Sequence, residues 1–125
     1  MKSEYQFEIP DCHPSLNSYL KKHWTVYHRL REEWNAMVWA CVKHAKIPMI
    51  EQPVEIHIDY YHPRKSVDLD NYTPKLLMDS LKGLVIKDDS SQIVKKLSWR
   101  FIQAKVKKSV VTIKLSTLPF EKNGV

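Results

Sequence analysis

Five of the seven aspartates in this 125-residue chain fall between Asp68 and Asp89. They stand in the run Asp68-Leu69-Asp70-Asn71, then at Asp79, then as the pair Asp88-Asp89. Carboxylates crowded in this way repel one another unless a cation offsets the repulsion, and the rest of the chain is basic, with a formal charge of +6 at pH 7. The pattern is that of a metal site, and it restricts the fold to one that gathers these side chains where a cation reaches them. Carboxylate oxygens are hard ligands that suit magnesium or manganese. Asp-x-Asp spacing on an extended segment also points Asp68 and Asp70 to the same side.

Aspartate and asparagine also serve as turn and capping residues. Asp70 or Asn71 is placed to cap a helix whose first turn carries Pro74. If that helix runs from about Tyr72 to Lys82, then Asn71, Lys75, Asp79 and Lys82 form one stripe, with Leu76, Leu77 and Leu81 on the opposite side. The polar stripe then faces whatever the Asp68/Asp70 segment faces.

The flanking pattern predicts the scaffold. Tyr5, Phe7 and Ile9 alternate as a short strand ended by Pro10. Val26, Leu30, Trp34, Met37, Val38, Cys41, Val42 and Ala45 follow helical spacing, which predicts an amphipathic helix over about 26–46, stopped before Pro48. Val54, Ile56, Ile58 and Tyr60 alternate as a second strand, and the basic loop His62-Pro63-Arg64-Lys65 leads from it to Asp68. Gly83 ends the second helix, and Asp88-Asp89 occupy a turn. Residues 93–102 and 106–115 read as two strands of a hairpin around Ala104-Lys105. The order predicts one α+β domain over residues 1–125, a mixed sheet covered by two main helices, with 121–125 as a frayed tail.

Composition narrows the function further. Cys12 and Cys41 are too few for a disulfide framework and lack metal-ligand spacing, so a reducing compartment and inert thiols are expected. The N-terminus lacks the pattern of a signal peptide and no apolar run reaches membrane-spanning length, which predicts a cytoplasmic protein with no membrane partner. Basic clusters at Lys21-Lys22-His23, Arg29/Arg31, Arg64-Lys65, Lys95-Lys96/Arg100 and Lys105/Lys107-Lys108 favour a polyanion. Arg64, Lys65, Lys96 and Arg100 are the candidate DNA contacts, with a solvated lysine face as the alternative. His57 and His62 read as surface residues.

The run DLDNYTPKLLMDSLKGLVIKDDSSQI resembles the core motif of the RusA-type Holliday junction resolvases. In that family an Asp-x-Asp-Asn, a lysine one helical turn on, an Asp-x-Leu and a final Asp-Asp recur in this order. The match is most specific over residues 66–94, and Pro14-Ser15-Leu16-Asn17 is similar to the loop that follows the family's first strand. Lys75 stands four residues after Asn71, where three is the commoner spacing. The resemblance implies that Asp68, Asp70 and Asp89 bind a divalent metal, Mg2+ or alternatively Mn2+, with Asp88 as the other candidate at the Asp-Asp pair. It further implies that Lys75 supports catalysis alongside these aspartates. On chemical grounds Asn71 and Asp79 are expected to act from behind the ligands or as caps. The expected function is resolution of four-way or other branched DNA by a homodimer. A DNA-structure-binding protein that does not cut, a general metal-dependent nuclease, and a phosphohydrolase of small nucleotides are the alternatives. The last lacks a glycine-rich phosphate loop, since the chain has only Gly83 and Gly124.

Overall fold

Alternating apolar side chains build a four-stranded sheet whose inner face takes up both helices. The computed structural model describes residues 4–13, 24–64 and 72–120. Its elements are β1 (Glu4–Ile9), α1 (Trp24–His44), β2 (Val54–His62), α2 (Lys75–Leu81), β3 (Val94–Gln103) and β4 (Val110–Thr117). Phe7 and Ile9 of β1, Val54, Ile56, Ile58 and Tyr60 of β2, and Val111, Ile113 and Leu115 of β4 are all buried. They form one core with Trp34, Val38 and Val42 of α1 and Leu76, Leu77, Met78 and Leu81 of α2. This is the α+β architecture expected from the sequence, a sheet with one covered face.

Strand order departs from the expected hairpin. The order is β1-β4-β2-β3: β4 pairs antiparallel with both β1 and β2, while β3 pairs parallel with β2 at the sheet edge. The strands β3 and β4 therefore flank β2 and never meet. A two-residue hairpin needs positive φ at its centre, which Ala104-Lys105 does not favour. Residues 104–109 instead cross the end of β2, where the Ala104 N–H donates to the His62 carbonyl at 3.0 Å. The crossover through α2 is what makes β3 parallel to β2.

Helix ends show similar local logic. The helix α1 runs two residues ahead of the expected span at both ends. It closes where the Ile47 N–H donates to Val42 O at 3.2 Å and the Lys46 N–H to Lys43 O at 3.1 Å. Lys46 takes the left-handed conformation, φ 58°, that this cap requires. The second helix begins at Lys75 rather than Tyr72, because a residue preceding proline is pushed out of helical conformation. Pro74 thus holds the cap position, with no side-chain cap hydrogen bond. The expected caps, Asp70 and Asn71, lie outside the described residues, as do Pro14-Ser15-Leu16-Asn17 and the tail 121–125.

The outer face of the sheet is polar. There the Asp59 carboxylate accepts from His57 Nε2 at 2.8 Å and from Arg100 Nε at 2.7 Å, while His57 Nδ1 lies 2.7 Å from Ser98 Oγ. Serine, histidine and aspartate stand in the order of a nucleophilic triad, but they sit mid-strand on the outer face of the sheet, and the aspartate is shared with Arg100. The network ties β3 to β2. Partial burial alone would raise the Asp59 carboxyl, but the hydrogen bonds from Arg100 and His57 outweigh it and hold the group below its ordinary value. A depressed carboxyl adds stability that is complete at neutral pH and is lost as pH falls through the folded value, below about pH 4. Asp59→Asn is therefore expected to lower the urea midpoint at neutral pH and to flatten its decline in acid. Urea titrations at stepped pH check this, and an unchanged acid slope would show that the network does not couple to folding.

Candidate nuclease site

The sequence leaves one geometric problem at the acidic motif. A crossover helix between parallel strands starts at one end of the sheet and returns to the other, which would separate the Asp68/Asp70 end from Asp88-Asp89. Asp68 and Asp70 lie outside the described residues, but the start of the helix and the turn after it are close together because the helix is short. With seven residues, α2 is only about 10 Å long. Its first turns and the turn after it open onto one cavity of about 430 Å³. Lys75 and Asp79 line it from the helix, Asp89 from the following turn, and Leu97 and Trp99 from β3, with Met78 between.

Buried anchors set each element in place. Leu77 and Leu81 are fully buried on the inner side of α2, and Ser80 Oγ lies 2.6 Å from Asn35 Oδ1 on α1. This turns the opposite stripe, Lys75 and Asp79, outward as expected, with Lys75 Nζ 3.7 Å from Asp79 Oδ2. Gly83 ends the helix at φ +79°, a conformation costly for any residue with a side chain. Val85 and Ile86 are then fully buried and peg the loop that carries Asp88-Asp89.

The two adjacent aspartates differ in what they do. Asp88 Oδ1 accepts the Asp89 N–H at 2.9 Å, closing the turn. That bond, with help from Lys82, holds the Asp88 carboxyl below its ordinary value. Asp89 lines the cavity, and Asp88 does not. Lys82 Nζ lies 3.6 Å from Asp88 Oδ1 and 3.5 Å from Asp89 Oδ1, and these carboxylates, Asp89 first, raise its pKa. The ammonium is a local counter-charge for the turn.

Not every expected site residue comes together. Asp68, Asp70, Asn71 and Lys65 lie outside the described residues. Lys96 and Arg100 alternate with Leu97 and Trp99 along β3, so they project from the outer face, away from the cavity. Arg100 is bound to Asp59, and Lys96 shares a separate outer-face groove with Glu55 and Lys114. Arg64 follows the end of β2, where its N–H donates to His62 Nδ1 at 3.0 Å. His57 is no simple surface residue, and the spacing His57-x-Asp59 opposite Ser98-x-Arg100 was the signal available for it. Leu97 and Trp99, which the sequence did not single out, are each 36% exposed and line the cavity.

Among the described residues no three His, Cys, Asp or Glu side chains form a cation site. The two carboxylates that do share the cavity, Asp79 and Asp89, are hard oxygen donors. Their chemistry fits magnesium or manganese and not a soft ion.

A crossover helix and an acidic turn meet over the edge of a small mixed sheet, with Lys75, Asp79 and Asp89 on one cavity. The family model for endodeoxyribonuclease RusA matches residues 11–114, and the chain belongs to that family. Its members are metal-dependent endodeoxyribonucleases that resolve Holliday junctions, so the chain is an enzyme acting on DNA phosphodiesters. A comparison with curated proteins returned no match. Among the described residues no helix is long and apolar enough to cross a membrane.

Proposed function

We propose that this chain is a magnesium- or manganese-dependent resolvase that cuts four-way junctions, or closely related branched DNA, as a cytoplasmic homodimer built from one nuclease domain per chain. The observation that carries the reading is the convergence of Lys75, Asp79 and Asp89 on one cavity beside the short crossover helix. Asp68, Asp70 and Asp89 are the ligands of the ion. The turn-closing bond made by Asp88 supports Asp89 over its neighbour.

Phosphodiester hydrolysis joins a water oxygen to phosphorus and breaks the bond to the 3′-oxygen. A bound divalent ion supplies Lewis acidity and neutralises charge on the phosphate. Lys75, 72% exposed at its side chain, is free to reach a non-bridging oxygen and stabilise the charge that develops there. Asp79 holds the Lys75 ammonium over the cavity by the ion pair one turn along α2. Asn71 orders the neighbouring carboxylates.

Two symmetric cuts resolve a four-way junction, and a two-fold dimer carries two such sites in fixed relation. A labelled four-way junction and a linear duplex of equal mass, incubated with magnesium, manganese, zinc or excess chelator, test the proposal. Cleavage is expected with the first two ions, weakly with zinc and not in chelator, with the junction preferred. Light scattering is expected to give twice the chain mass. Cleavage undiminished in chelator would sink the metal assignment, and a monomer that cuts duplex as readily as junction would leave only a general nuclease.

A further inference from the structure

The acidic cavity has an apolar wall that phosphodiester chemistry does not need. On β3 the inner row is Leu97, Trp99 and Phe101, paired with Ile56, Ile58 and Tyr60 of β2. Those three partners are at most 1% exposed, yet Leu97 and Trp99 are each 36% exposed. The short α2 leaves this end of the edge strand uncovered. Phe101 stacks on Tyr60, with centroids 4.7 Å apart and planes 10° from parallel. Among the described residues no ring stacks on Trp99, one position along the same row.

We infer that Trp99, with Leu97 beneath it, is the stacking shelf for an unpaired nucleobase of the DNA substrate, on the nucleotide whose phosphate meets Lys75 and Asp89. The inference rests on the resolvase reading and names how the same site selects its substrate. A nucleotide joins a flat aromatic face to an anionic phosphate, and the cavity offers an indole beside an ammonium and carboxylates suited to a cation. At about 430 Å³ the cavity holds a single nucleotide rather than a duplex. Bases in linear duplex are stacked on both faces and present none to Trp99. Only a base splayed out at a branch point has a free face, so the shelf favours branched DNA over duplex with little regard to sequence, since every base has a π face.

A four-way junction with 2-aminopurine at the branch point, titrated with the protein in chelator so that binding is read without cutting, tests the shelf. The emission of 2-aminopurine is expected to change on binding the wild type and Trp99→Phe, but not on binding Trp99→Ala or Trp99→Leu. Trp99→Ala is expected to bind the junction roughly 10- to 100-fold more weakly, with duplex affinity little changed. Trp99→Leu retains apolar bulk in case the alanine variant fails to fold. If the wild type leaves the probe emission unchanged while binding and cutting the junction, the shelf is overturned and the resolvase reading stands. Equal losses on junction and duplex for the two non-aromatic variants also overturn it. A wild type that neither binds nor cuts the junction overturns both.

Discussion

Asp89→Asn is expected to abolish most junction cleavage while leaving the fold and DNA binding in place. The substitution keeps the size and much of the hydrogen bonding of the side chain but removes a ligand charge at the cavity. Loss of a group that merely orients a metal ligand costs about 10- to 100-fold. Loss of a ligand should exceed that. Binding is expected to hold or tighten, because one negative charge facing the phosphates is gone. The adjacent Asp88→Asn serves as the internal control. Asparagine can still accept the Asp89 N–H and close the turn, so Asp88→Asn should cost far less. Single-turnover cleavage of a labelled junction measures both. A larger loss at Asp88 would reverse the ligand assignment, and wild-type rates for both would remove the turn from the chemistry altogether.

The second large effect lies in the core directly behind the site. Leu77 is fully buried on α2, and truncating such a leucine to alanine costs about 2–5 kcal/mol through lost burial and the cavity left behind. Domains of this size are stable by only about 5–15 kcal/mol, so Leu77→Ala is expected to take a large share of the whole. The same helix presents Lys75 and Asp79 on its other face, and loosening its seat should lower cleavage as well. Urea unfolding measures the first effect and cleavage at a temperature where the variant remains folded measures the second. A loss under about 1 kcal/mol would mean that the helix repacks without Leu77.

Local patterns were enough to place most elements. Alternation in Phe7/Ile9, in Val54/Ile56/Ile58/Tyr60 and in Val111/Ile113/Leu115 marks strands with one covered face. The three- and four-residue spacing through Trp34, Val38 and Val42 marks the covered side of α1. These signals are legible because side-chain direction repeats every two residues in a strand and every 3.6 in a helix, whatever the partner. Helix starts were less legible. The expected beginning at Tyr72 gave too little weight to Pro74, whose ring excludes helical conformation from Thr73.

Order in the sheet was not legible. Adjacent strands in sequence suggested a hairpin for β3 and β4, but β2 lies between them. Pairing is a choice among partners distant in the chain, and no periodicity within a strand encodes which partner it takes.

The candidate site divides along the same line. The sequence proposes candidates for the chemistry, because clustered aspartates in a basic chain favour a cation and their order resembles the family motif. Which of them share a surface was decided by the tertiary structure. A seven-residue helix lets Lys75, Asp79 and Asp89 open on one cavity, and the pleat of β3 sends Trp99 into it while sending Lys96 and Arg100 to the far face. Residue types follow from local composition. Convergence depends on helix length and strand pairing, which only the packed chain sets.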